Sequence, residues 1–294
     1  MTSLLAMLKR EYIEHRGAFF YGPLLVLALI LLIIISGLAS NRLEMQAELG
    51  LVSSLTLFEI GFLGAGLLWF AYLMVTLFFY YADAFSADRR NNAMLFWKSM
   101  PLTDFKVLGS KMLAGTLVFP ALIFVAFLAT GVLVLLGIVT ASAMLPGLIV
   151  SSPGGYLGAA VQVVLFQLVY LFLAMLWYAP FFAWVGMLST AFGRWAIPLA
   201  LLAPALLGLA EKLLLNFGGS MFGYVADYLG WRLQFGLEEE AVFVKLVSGT
   251  RFDAVEMLGQ LVASIDFAQL AGGLAVAALF VYAGSEYRRR SNAT

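Results

Sequence analysis

The chain has no cysteine and a single histidine, His15. The first absence excludes disulfides, thiolate metal sites and cysteine nucleophiles, and it leaves the redox compartment open. The second excludes any metal site built on two histidines and argues against a histidine-based triad. No G-x-x-x-x-G-K-[ST] stretch occurs, so the chain has no loop of its own to cradle ATP phosphates. Charge is scarce as well. Only 12% of the 294 residues are Asp, Glu, Lys or Arg, about half the share of a soluble domain. Acids and bases balance at 17 each, so net charge points to no nucleic-acid partner. Covalent catalysis is disfavoured on these counts.

What fills the space is apolar: 63% of residues are hydrophobic, arranged in runs long enough for a bilayer, which needs about 20 apolar residues per helix. Six stretches qualify, at 18–39, 57–82, 112–138, 160–188, 195–215 and 267–284. Hydrocarbon offers no partner to an unpaired backbone group, so each is expected to be helical. The reading is an all-α polytopic membrane protein of one domain, 1–294, with kinks expected at Pro120, Pro180, Pro198 and Pro204. Gly37-Leu38-Ala39 resembles a signal-peptidase site. The apolar run before it is too long for a signal peptide, so an uncleaved anchor is expected.

Basic residues set the orientation. Lys9, Arg10, Arg16, Arg89, Arg90, Lys98, Lys106, Lys111, Arg194, Arg288, Arg289 and Arg290 share one side, against Arg42, Lys212, Arg232, Lys245 and Arg251 on the other. The positive-inside rule puts both termini in the cytoplasm. The outer connection, 216–266, carries two amphipathic sets: Phe222, Val225, Tyr228 and Leu229, then Phe252, Val255, Leu258, Val262 and Ile265. Short helices on or dipping into the outer leaflet are expected there.

Ionisable groups are nearly missing from the runs. Glu59, Glu211 and Asp266 fall near their outer ends, where a carboxylate can stay hydrated. Glu59 is the one candidate for ion coupling, and the preferred reading is a side chain reaching the headgroups. Gln162 and Gln167 read as interhelical hydrogen-bonding residues. Gly61, Gly64 and Gly66, with Gly272, Gly273 and Ala277, read as close-packing positions.

Two charged segments remain. In "SLLAMLKREYIEHR", Leu4, Leu5, Leu8 and Tyr12 form an apolar stripe beside Lys9, Arg10 and Glu14, and His15 and Arg16 close the segment. This predicts a helix over 1–17 lying in the headgroup plane and turning into the first run at Gly22-Pro23. The other, "ADRRNNAMLFWKSMPLTD" (87–104), has an apolar centre with a basic rim, the composition of an interface hot spot rather than a connector. Pro101 is placed to end one helix and Thr103-Asp104 to cap the next.

With these residues in view, the chain resembles the permease subunit of a bacterial ABC exporter of the ABC-2 type. "KREYIEHRGAFF" (9–20) is similar to the elbow helix that opens such permeases. "FYYADAFSADRRNNAMLFWKSMPLTDFKVLGSK" (79–111) is similar to their coupling region between spans two and three. "STAFGRW" (189–195) corresponds to the shorter turn between spans four and five. The resemblance implies a coupling segment over 83–111 that docks on a separate cytosolic ATPase. Arg89, Arg90, Leu95, Phe96, Trp97, Lys98, Met100 and Pro101, with Phe192 and Arg194, would make the contact, and Lys9, Arg10, Tyr12, His15 and Arg16 would belong to the elbow. It implies no cofactor on this chain, ATP and Mg on two copies of the ATPase, a second permease copy, surrounding lipid, and an inner-membrane location. The alternatives are an ion-coupled secondary transporter and a non-transporting membrane anchor.

Overall fold

The computed structural model describes residues 3–39, 53–90, 103–144, 150–215, 223–236 and 251–291. These form α1 (Ser3–Arg16), α2 (Gly22–Ala39), α3 (Ser54–Arg90), α4 (Asp104–Leu113), α5 (Phe119–Met144), α6 (Pro153–Phe192), α7 (Ala196–Leu215), α8 (Tyr224–Leu233), α9 (Ala254–Ser264) and α10 (Phe267–Ser291). No strand occurs among the described residues. Two π-helical turns, π1 (Gly17–Tyr21) and π2 (Ala114–Val118), join α1 to α2 and α4 to α5.

Among the described residues, five helical runs are long and apolar enough to cross a membrane: Leu4–Ala39, Ser54–Ser86, Asp104–Met144, Pro153–Leu214 and Phe267–Arg290. Six were expected. The difference lies at 160–215, where two expected runs share one helical stretch of 62 residues. That stretch is broken at Gly193, whose φ of 56° an L side chain rarely adopts, and a single 3₁₀ turn leads into α7.

α6 is the mast of the bundle. At 40 residues it extends about 60 Å. α3 runs beside it in the same direction. Tyr156 donates to Ser54 Oγ at 2.6 Å near one end, Gln167 reaches the Gly66 carbonyl at 3.5 Å, and Tyr81 stacks on Phe182 farther along. A Cβ on Gly66 would stand 2.6 Å from Gln167 Oε1, so glycine lets these helices touch there, whereas Gly64 and Gly272 face open space. α5 packs antiparallel on α3 through Trp69, whose Nε1 donates to Thr130 Oγ1 at 2.8 Å.

The second amphipathic set forms a helix, α9, that packs on the bundle. α9 stands along α6, from Ala254 N–H bonded to Gln162 Oε1 at 3.1 Å to Leu261 packed with Tyr170 and Ala174. α10 continues the same line, with Ile265 and Leu270 on Trp177 and Gly284 beside Met187 and Thr190. The pair thus forms one line, interrupted at Ile265-Asp266, facing most of α6. Ala254, Met257 and Leu261 are its buried face, while Val255 and Val262 of the expected stripe are exposed. α2, by contrast, buries little beyond Pro23 and turns Leu25, Leu32 and Ile33 outward, as a lipid-facing helix does.

Candidate functional site

The π turns obey one local rule. Each ends two residues before a proline: Tyr21 before Pro23, Val118 before Pro120. A proline supplies no N–H to the carbonyl four residues back and its ring crowds that carbonyl. The preceding residue instead closes a wider turn, Gly22 N–H to the Gly17 carbonyl and Phe119 N–H to the Ala114 carbonyl. The entry into α2 therefore remains helical through Gly22, and the irregular backbone lies earlier, at His15 (φ −108°, ψ 15°), not at Gly22-Pro23 as the sequence suggested.

The two turns are neighbours. Phe19 of π1 stacks on Phe119 with ring centroids 3.8 Å apart. Tyrosines of α3 fasten the carbonyls around them. Tyr72 donates to Ala18 O at 2.5 Å and Tyr81 to Met112 O at 3.0 Å. A Cβ on Gly115 would fall 2.1 Å from the Tyr81 hydroxyl, so π2 approaches α3 only because that residue is glycine.

Beside these turns lies a buried ionic cluster. Lys111 of α4 and Glu11 of α1 are 2% and 3% exposed, and Nζ stands 2.8 Å from Oε1. The Tyr80 hydroxyl lies 3.0 Å from Glu11 Oε2 and 3.1 Å from the Lys111 carbonyl. His15 completes the group, its ring edge-on to Tyr80 and Nε2 3.8 Å from Glu11 Oε2. Glu11, Glu14 and His15 could between them offer three ligand atoms to a metal. Lys111 and Tyr80 already occupy Glu11, and Arg10 holds Glu14 at 2.8 Å, so the arrangement is that of an ion-pair network. A second ion pair engages the other end of α4, where the buried Arg288 of α10 places Nε 2.9 Å from Asp104 Oδ1. Thr103 caps the helix, accepting from Lys106 N–H at 3.3 Å, as expected.

α1 is therefore not the freely lying helix of the sequence reading. Leu4 and Leu5 are exposed, and the buried face runs through Met7 and Glu11 and on to Phe19 of π1. Lys111, counted as a loop charge, is inside the bundle. Of the expected elbow residues, Lys9 and Arg16 are exposed, Arg16 lying 5.9 Å from the Tyr21 ring, while Arg10, Tyr12 and His15 are partly buried. Phe192 and Arg194 are exposed at the α6–α7 turn, at the end where Thr190, Leu108 and Gly284 come together. Arg89 and Arg90 close α3, and their side chains, with Leu95, Phe96, Trp97, Lys98, Met100 and Pro101, lie outside the described residues.

The acids expected to be hydrated have structural partners. Glu59 is 3% exposed, contrary to the headgroup reading, and accepts the Phe252 N–H at 3.4 Å just before α9. Glu211 accepts Val225 N–H at 2.9 Å in the first turn of α8, and Asp266 accepts Ala268 and Gln269 N–H at 2.9 and 3.0 Å at the start of α10. Glu211 and Asp266 each meet the positive end of a helix. Gln162 and Gln167 bond between helices, as expected.

The sequence reading missed Arg232. It is 3% exposed and its Cζ lies 4.5 Å from the Trp177 ring centroid, in the middle of α6. α6 also fastens the backbone around it. Trp177 Nε1 donates to Arg232 O at 2.7 Å, Tyr178 to Leu233 O at 2.6 Å and Tyr170 to Phe235 O at 3.4 Å, so aromatic donors satisfy the end of α8. The available signal was the Trp231-Arg232 pair inside an amphipathic stretch.

No family model, curated protein or solved structure matches this chain.

Proposed function

We propose that the chain is the transmembrane permease subunit of an ATP-driven exporter, worked by a separate cytosolic ATPase that holds the 89–101 contact stretch of the coupling segment, 83–111. One observation supports this above the others: α4, the helix that follows that stretch, is tied at both ends by ion pairs, Asp104 to Arg288 and Lys111 to Glu11. A push on 89–101 is then delivered to α1 and α10 together, beside two π turns, a backbone irregularity frequent at functional sites. The break at Gly193 lets α6 and α7 serve as two crossings, giving six in all. In this reading both termini are cytoplasmic, ATP and Mg reside on two ATPase copies, and a second permease copy completes the pathway.

The test is co-purification of a Walker-motif ATPase with the tagged chain from its native membrane. Trp97→Ala or Phe96→Ala is expected to cut ATPase recovery at least fivefold with membrane insertion unchanged. Recovery at the wild-type level removes the docking assignment. The chain purified alone is expected to hydrolyse no ATP, and turnover that follows it through purification refutes the division of labour. The buried Glu59 gives the ion-coupled alternative its one foothold, and substrate transport abolished in Glu59→Gln with α9 still docked would favour it.

A further inference from the structure

A guanidinium buried in an apolar bundle is costly unless charge or hydrogen bonds compensate it. Arg232 has little of either. Nη1 donates to Gln269 O at 3.1 Å and Nη2 reaches Trp177 O at 3.5 Å, one residue from the carbonyl that Pro180 leaves without its helical donor. Arginine carries five N–H groups, so three have no acceptor among the described residues, and no carboxylate there pairs with the charge. The fold nonetheless reserves the place. A Cβ on Gly273 would stand 1.9 Å from Nη2, and the Trp177 ring covers one face of the guanidinium.

The rim suits an amphipathic visitor. Tyr228 and Trp231 are each 45% exposed, and the Tyr228 hydroxyl meets the Gln269 side chain at 3.0 Å, beside the carbonyl that Arg232 uses. This exposed contact covers the site at the break between α9 and α10, where Asp266 and Phe267 are also exposed. An aromatic rim over a cation with spare donors matches a molecule that has an apolar tail and an anionic head. A cationic head would be repelled by Arg232, and a neutral one would gain its hydrogen bonds but not the charge.

We propose that Arg232, backed by Trp177 and seated against Gly273, binds the anionic group of an amphipathic ligand entering beside Tyr228 and Gln269. That this ligand is the cargo rests on the export reading above; the binding does not.

The experiment uses the purified full chain in neutral-detergent micelles without the ATPase, so its failure leaves the export reading standing. Dodecyl phosphate, dodecyltrimethylammonium and inorganic phosphate are each titrated while the thermal unfolding midpoint and tryptophan emission are followed. A saturable response to dodecyl phosphate is expected, at least tenfold weaker in Arg232→Gln and partly kept in Arg232→Lys. Inorganic phosphate at equal concentration is expected to do little, which distinguishes a tailed headgroup from the free ion. If the phosphate alone matches dodecyl phosphate, the amphipath assignment is overturned. Equal binding of the cationic amphiphile to the wild-type chain overturns the site even where the Gln variant fails to fold. So does undiminished binding by a folded Arg232→Gln.

Discussion

Replacing Lys111 with methionine is expected to lower the stability of the folded bundle by about 3–5 kcal/mol, the range found when one partner of a buried ion pair is removed. Glu11, at 3% exposure, would lose its counter-ion and retain only the Tyr80 hydroxyl and the distant His15. Removing the acid as well eliminates the stranded carboxyl group, so Glu11→Leu with Lys111→Met should recover most of the loss. The measurement is the fraction of protein that stays folded and monodisperse after graded heating in detergent. A single variant as heat-resistant as wild type would mean that α1 is not pinned to α4. If the export reading holds, the double variant should be stable and still couple poorly, because α4 then pulls on α10 alone.

Trp69→Ala is the second large effect, about 3–5 kcal/mol, typical of truncating a buried Trp. Trp69 is 1% exposed where α3 meets α5, edge-on to Tyr72 and bonded to Thr130. In a bilayer the loss is mainly of packing contacts, since lipid tails are as apolar as the protein interior. Trp69→Phe should cost roughly 1–2 kcal/mol less, retaining a ring while losing the bond to Thr130. The same heating assay ranks the two variants. Equal losses would assign the effect to the hydrogen bond instead of the ring.

How much of this could be read from the sequence depends on what each feature requires. Membrane-length helices follow from apolar runs alone, and five of them occur among the described residues. The bonds of Gln162 and Gln167 follow too, since an amide in an apolar helix has few partners other than a neighbouring helix. The buried face of α1 does not follow. Its stripe of leucines is the more apolar choice, but Lys111, a hundred positions away, draws Glu11 inward. Glu59 differs from expectation for a related reason: a carboxylate near a run's end can be left exposed, as Asp266 is, or be buried on a neighbouring N–H, and only the fold says which. The packing of α9 along α6 does not follow either, because an amphipathic pattern is the same for a helix on a membrane and for one packed on a neighbour. The coupling segment's role rests on the sequence and on the tethers at its exit.

The π turns have a genetic consequence. Pro23 imposes the wide turn whatever residues form it, so losing a single codon from 17–21 would draw Arg16 into the turn and leave the helix before it one residue shorter. Everything upstream would then rotate by about 100° about the axis. Glu11 would swing away from Lys111, and a sequence almost unchanged in composition would be left without its latch. Lineages of this chain should therefore tolerate exchange of side chains within GAFFY far more readily than any change in its length.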